Sequence, residues 1–129
     1  MTESTAPESF TQGPTDVELL EQTLAQNLDD TARRFADRAA LLECGPDGDP
    51  ATGRTWTYGQ LREESVTVAK ALMAAGYEAG DRIGMWSPNV AEWVSLLYGA
   101  ARAGVILVNL NPAYRAHEPV SYTHLTLPT

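Results

Sequence analysis

Residues 82–111, R-I-G-M-W-S-P-N-V-A-E-W-V-S-L-L-Y-G-A-A-R-A-G-V-I-L-V-N-L-N, decide the fold of this chain. They begin with a compact apolar run suited to a strand. Residues 105–108 follow a glycine, are uninterruptedly apolar, and predict a strand buried on both faces. The residues between them predict a helix, because apolar side chains recur there at i, i+3, i+4, i+7 and i+11: Val90, Trp93, Val94, Leu97 and Ala101. A strand, helix and strand within about 30 residues have the size of a right-handed crossover between parallel strands, so the predicted fold class is α/β.

Two T-x-x-Q patterns mark helix starts upstream, because a threonine and a glutamine at this spacing form a capping box. They begin at Thr23 and Thr57 and predict helices over residues 23–36 and 58–75. Between them, an apolar run at 39–44, a loop of glycine, proline and aspartate, and a β-prone segment at 54–57 predict a β-hairpin. The sequence therefore predicts a β-hairpin and a βαβ unit flanked by helices.

The charged residues of the first helix are expected to form a solvated outer face without further role: Asp29, Asp30, Arg33 and Arg34. Cys44 is the only cysteine, which excludes an internal disulfide and fits a reducing cytoplasm. We expect its side chain to be partly buried near a strand end.

The turn Ser87-Pro88-Asn89 is the best local candidate for a binding site. It follows a predicted parallel strand at its carboxyl end, where open α/β sheets bind ligands. Asn89 and Glu92 also form an N-x-x-E pattern, which predicts that the Asn89 side chain caps the next helix. A residue engaged in capping is less free to contact a ligand.

Composition excludes several classes of protein. The net charge of −8 argues against nucleic-acid binding, which requires a clustered basic face. A targeting sequence would contain basic residues, but residues 1–22 contain no lysine or arginine. No apolar run approaches the roughly 18 residues of a membrane span. We expect a cytoplasmic protein.

The usual chemical motifs are also missing. Neither G-x-G-x-x-G nor G-x-x-x-x-G-K-[ST] occurs, and the acidic loop at 47–49 lacks the spacing of a calcium loop. His117 and His124 match no zinc motif, and a helix start is a better interpretation of His117-Glu118 than an acid–base pair. The three tryptophans fall in three different elements, which favours core packing: Trp56, Trp86 and Trp93. We predict no catalytic, cofactor-binding or metal-ligating residue in this chain.

Three segments resemble the amino-terminal region of the AMP-forming acyl-CoA synthetases, especially the fatty-acyl-CoA branch. They are R-T-W-T-Y-G-Q-L at 54–61, G-D-R-I-G-M-W-S-P-N-V-A-E-W at 80–93 and A-G-V-I-L-V-N-L-N-P-A-Y-R-A-H-E at 103–118. The resemblance implies the amino-terminal part of the large adenylate-forming domain. It also implies a parent enzyme that uses ATP, Mg²⁺ and coenzyme A to convert a fatty acid, through an acyl-adenylate, into an acyl-CoA.

The family's phosphate loop, its later Tyr-Gly-x-Thr-Glu and Thr-Gly-Asp motifs and its carboxyl-terminal lysine have no counterpart here. Lys70 matches none of these motifs, so the chain alone is expected to be inactive. Residues 1–15 are interpreted as a mobile leader and 16–118 as a partial subdomain. Residues 119–129 break the family pattern and resemble a translated sequencing adapter. The alternatives are an aryl-CoA ligase or a non-catalytic α/β interaction module.

Overall fold

The computed structural model describes residues 13–14 and 16–113. The predicted α/β class, hairpin and βαβ unit are confirmed. These residues form three helices and four strands, with a short 3₁₀ turn at Pro50–Thr52 inside the hairpin loop. In order they are α1 (Leu24–Phe35), β1 (Ala39–Glu43), β2 (Arg54–Thr57), α2 (Tyr58–Ala74), β3 (Arg82–Trp86), α3 (Ala91–Ala103) and β4 (Ile106–Leu110).

Both predicted capping boxes are formed. The Thr23 hydroxyl accepts a hydrogen bond from the Gln26 N–H at 3.2 Å, and the Gln26 side chain accepts one from the Thr23 N–H at 2.9 Å. Thr57 and Gln60 make the same pair of bonds at the start of α2, at 3.2 and 2.9 Å. Two N–H groups at each helix start are thereby satisfied by residues that are neighbours in sequence.

Strands β1 and β2 pair antiparallel, and β3 and β4 pair parallel, with Ile83 opposite Leu107. The core lies between this parallel pair and the helices, and its buried centre is Leu72, Ala100 and Val105. Ile83 and Leu107 pack against that centre, so one face of the parallel pair is covered.

The other face of the parallel pair is not covered by any element within the described residues. Successive side chains of a strand point to opposite faces, and Trp86 and Ile106 lie 48% and 44% exposed. Burial of β4 on both faces is therefore not observed, and the expected core position of Trp86 is wrong. Trp56 and Trp93 are half-buried. Helices α2 and α3 account for the difference, since they cover only the side of Ile83 and Leu107.

The prediction that the charged face of α1 is purely solvated is wrong at Asp29, which is bound by two arginines of other helices. Its carboxylate accepts hydrogen bonds from Arg102 at 2.8 and 3.0 Å and from Arg62 at 2.9 Å. Arg102 also contacts the buried Ser65 hydroxyl at 3.3 Å. These four residues, here called the helix cluster, join all three helices. Asp30, in contrast, pairs with its exposed neighbour Arg33 as expected.

Candidate functional site

The turn Ser87-Pro88-Asn89 follows β3 at its carboxyl end, as predicted. The Ser87 hydroxyl donates a hydrogen bond to the Pro88 carbonyl at 3.0 Å, which fixes the turn locally. Asn89 is exposed at the rim of an open cavity of about 480 Å³ between the hairpin and the start of α3. The cavity is lined by Leu41, Leu42, Glu43, Cys44, Asn89, Val90, Ala91, Trp93 and Val94.

The predicted capping role of Asn89 is wrong. Helix α3 begins at Ala91, its N-cap residue is Val90, and no side chain of the N-cap satisfies the first turn. The Ala91 N–H instead donates a hydrogen bond to the Glu43 carboxylate at 3.1 Å. A carboxylate is favoured there because the amino-terminal end of a helix carries a partial positive charge. The cap therefore comes from the end of β1, 48 residues away in sequence.

Arg54 joins this carboxylate to a second one. Its Nε donates to Glu43 at 2.6 Å, and its two terminal nitrogens donate to both oxygens of Glu92 at 2.8 and 3.2 Å. Its guanidinium also lies 4.8 Å from the centre of the Trp56 ring, a cation–π geometry. Glu43, Arg54 and Glu92 are here called the hairpin clamp, because they connect both hairpin strands to the first turn of α3.

The clamp perturbs the protonation of its members. Hydrogen bonds from Arg54, and then from the Ala91 N–H, lower the pKa of Glu43. Hydrogen bonding to Arg54 likewise lowers the pKa of Glu92. The two carboxylates in turn raise the pKa of Arg54. All three groups are therefore charged near neutral pH.

The start of α3 and the hairpin clamp do not fit ATP phosphates or magnesium. The first N–H of α3, a potential anion donor, is already bound to Glu43, and the clamp carries two carboxylates for one guanidinium. No group of three histidine, cysteine, aspartate or glutamate side chains suited to a metal occurs in the part of the chain that the structure describes.

The cysteine and the two aspartates of the hairpin loop region make only local contacts or none in the described structure. Cys44 is exposed, against the expected partial burial, because it follows the last residue of β1 at the rim of the cavity. Asp47 accepts from the Thr52 hydroxyl at 2.6 Å, which lowers its pKa, and Asp49 caps the 3₁₀ turn through the Ala51 N–H at 2.8 Å. Both aspartates thus support a solvated loop.

Lys70, which matches no catalytic motif of the family, is exposed on α2. Several other predictions concern residues that the structure does not describe. His117, Glu118 and His124 lie outside the described residues, as do the tail at 119–129 and nearly all of the leader at 1–15. Among the described helices, none has the length and apolar character needed to cross a membrane.

Residues 28–123 match the family model of the AMP-binding enzymes. This chain belongs to that family. The match runs five residues beyond Glu118, and the predicted boundary there stays a prediction. The chain is 41% identical over 110 residues to the mitochondrial medium-chain acyl-CoA ligase ACSF2 of Rattus norvegicus. The aligned region covers 85% of this chain and 17% of that relative.

Two further comparisons agree. The chain is 43% identical over 106 residues to the acyl-CoA ligase SID4 of Ajellomyces capsulatus, covering 82% of the chain and 17% of that protein. Its structure is similar to that of a fatty acyl-CoA synthetase of Mycobacterium tuberculosis, with a TM-score of 0.68 and 31% identity, over 78% of this chain and 19% of the other. The fold is that of the amino-terminal part of the adenylate-forming enzymes. The chain spans about 17% of the length of the curated relatives.

Sequence reasoning found the turn at 87–89 and missed the clamp. Glu43 and Arg54 lie in separate strands, and their spacing to Glu92 follows no motif. The available signal was the hairpin itself, since cross-strand partners lie side by side and the register pairs these two residues. Nothing in the sequence placed that end of the hairpin against α3.

Proposed function

We propose that the protein to which this segment belongs is an ATP-dependent, AMP-forming fatty-acid–CoA ligase. It would join a carboxylate to AMP with release of pyrophosphate, and then transfer the acyl group to the thiol of coenzyme A. The 41% identity over 110 residues to a medium-chain acyl-CoA ligase carries this proposal. Mg²⁺, ATP and coenzyme A are the proposed cofactor and co-substrates, and no nucleic acid takes part.

We further propose that the 129-residue chain is inactive alone. The chemistry requires donors and a metal that hold phosphates, and a cation that offsets charge at the attacked phosphorus. Arg54, the arginine of the hairpin clamp beside the candidate edge, is bound to the carboxylates of Glu43 and Glu92. These contacts leave it poorly suited to neutralise a phosphate.

A direct test is fatty-acid-dependent exchange of pyrophosphate into ATP. The source DNA is sequenced past the codon for Glu118, and the complete reading frame is expressed beside the 129-residue chain. We expect exchange from the complete protein and none from the short chain. Exchange by the short chain would contradict its proposed inactivity, and a frame without a phosphate-binding loop would favour a non-catalytic interaction module.

The substrate class is tested with the same assay. Octanoate, palmitate and benzoate are compared at equal concentration, because an aryl-CoA ligase is the other enzyme that the sequence motifs allow. We propose that either fatty acid supports faster exchange than benzoate. A preference for benzoate would keep the family and overturn the fatty-acid assignment.

We also propose that the protein is cytoplasmic and that residues 119–129 are not family sequence. A lone exposed thiol, Cys44, suits a reducing compartment. Cell fractionation of the complete protein tests the location, which matters because the ACSF2 relatives are mitochondrial. The same DNA sequence that tests activity reads the native codons after Glu118.

A further inference from the structure

Helix α3 depends for its first turn on side chains from another element. The helices α1 and α2 each carry a capping box of their own, whereas α3 has Val90 at its N-cap and no local side-chain cap. The Ala91 N–H would otherwise be one of the unpaired donors found at every helix start. The Glu43 carboxylate satisfies it from the hairpin at 3.1 Å.

The carboxylate is itself held in place. Glu43 and Arg54 are cross-strand partners at one end of the hairpin, and the Arg54 side chain is restricted by its contacts to Glu43, Glu92 and the Trp56 ring. A guanidinium has a planar arrangement of donors that can engage two carboxylates at once. Glu92 lies in the first turn of α3, so the helix start is attached to the hairpin at two points.

We propose that Glu43 and Arg54 are positioning residues that hold the first turn of α3, and with it the turn Ser87-Pro88-Asn89, against the hairpin. Asn89 precedes the N-cap residue directly, so the start of the helix determines where its side chain can lie. This turn stands at the carboxyl end of β3, the edge at which open α/β sheets bind ligands. Because the clamp replaces Asn89 as the cap, the Asn89 side chain remains at the cavity rim.

The proposal predicts a signature at a single amide. An amide at the first position of a helix normally has no partner and exchanges rapidly with solvent. The Ala91 amide is expected to exchange slowly in this chain, because it donates to Glu43. Hydrogen exchange of the 129-residue chain, with electron-transfer fragmentation to resolve single amides, measures this rate at low micromolar protein.

Three variants are expected to raise the exchange rate of the Ala91 amide by different amounts. Glu43→Ala removes the acceptor and should speed exchange at Ala91 by roughly fivefold, the size expected for loss of a helix cap. Glu43→Gln keeps an acceptor but loses the ion pair with Arg54, so its effect should be smaller. Arg54→Lys cannot bridge both carboxylates and should also give an intermediate rate. Asp30→Asn breaks an exposed ion pair within α1 and serves as the matched control, with no change at Ala91.

Two results would overturn the proposal. One is rapid exchange of the Ala91 amide in the unchanged chain, which would mean that the cap is not formed in solution. The other is equal acceleration at Ala91 and at Leu28 in α1 by Glu43→Gln, which would show loss of global stability rather than loss of position. The measurement does not use ATP or fatty acid, so its outcome is independent of the proposed ligase activity.

Discussion

The hairpin clamp and the helix cluster are built in opposite ways. In the hairpin clamp one arginine lies between two carboxylates, whereas in the helix cluster one carboxylate lies between two arginines. Their exposure also differs. Arg54 and Glu92 in the clamp are 53% and 60% exposed, whereas Arg102 and Asp29 in the helix cluster are 19% and 29% exposed. The other charged member of each cluster is intermediate, with Glu43 at 26% and Arg62 at 44%.

This difference separates two uses of charge. Exposed ion pairs contribute little to stability, because water and salt screen them and long side chains lose freedom when they pair. A partly buried charge is screened less, and removing its partner leaves a donor or acceptor unsatisfied. We therefore expect the helix cluster to stabilise the fold and the hairpin clamp mainly to orient the start of α3.

The largest effect is expected from Asp29→Asn. The change keeps the size of the side chain but removes the charge that pairs Arg102 and Arg62. The free energy of unfolding should fall by about 2 kcal/mol, the usual size for a hydrogen bond to a charged group. Urea unfolding followed by circular dichroism measures it. Asp30→Asn, on the same helix but in an exposed pair, should change it by less than about 0.5 kcal/mol; equal losses would remove the distinction between the clusters.

A second change tests packing beside the helix cluster. At Gly99 an added Cβ would lie 2.5 Å from the Val68 Cβ and 3.3 Å from the Ser65 carbonyl oxygen, where α3 crosses α2. Overpacking costs about 1–3 kcal/mol, while alanine is favoured over glycine in a helix by about 1 kcal/mol. Gly99→Ala should therefore reduce the free energy of unfolding by about 1 kcal/mol in the same urea experiment. An increase would show that the two helices separate without loss.

A smaller effect should appear with pH. Hydrogen bonding to Arg102 lowers the pKa of Asp29 below its ordinary value of 3.8. Because the unfolded chain binds the proton more readily, the contribution of Asp29 to stability is complete above pH 3.8 and is lost as the pH falls through the lowered pKa. The difference in urea midpoint between the unchanged chain and Asp29→Asn should shrink from about pH 6 to about pH 2. A constant difference would mean that the charge of Asp29 contributes nothing.

The same contrast explains what sequence reasoning could reach. The capping boxes at Thr23 and Thr57 were predictable, since each is complete within four consecutive residues. Asn89 and Glu92 repeat that spacing, yet Asn89 is not the N-cap residue of α3. The carboxylate of Glu43, from the hairpin, accepts the hydrogen bond of the Ala91 N–H instead. Asp29 was assigned to solvent because its partner Arg102 lies 73 residues further along the chain. Local patterns predicted each α-helix and strand that the structure describes, while contacts between elements decided the roles of charged side chains.

The smallest effect is expected from Glu92→Gln in the hairpin clamp. The change removes one of the two carboxylates of Arg54 but leaves the bond from Glu43 to the Ala91 N–H. Arg54 and Glu92 are both more than half exposed, so stability should change less than with Asp29→Asn. The remaining difference should disappear in about 1 M NaCl, where charges are screened within about 3 Å. Urea midpoints at low and high salt measure this. A loss that persists at high salt would show that the clamp, like the helix cluster, stabilises the fold through desolvated contacts rather than by orienting α3.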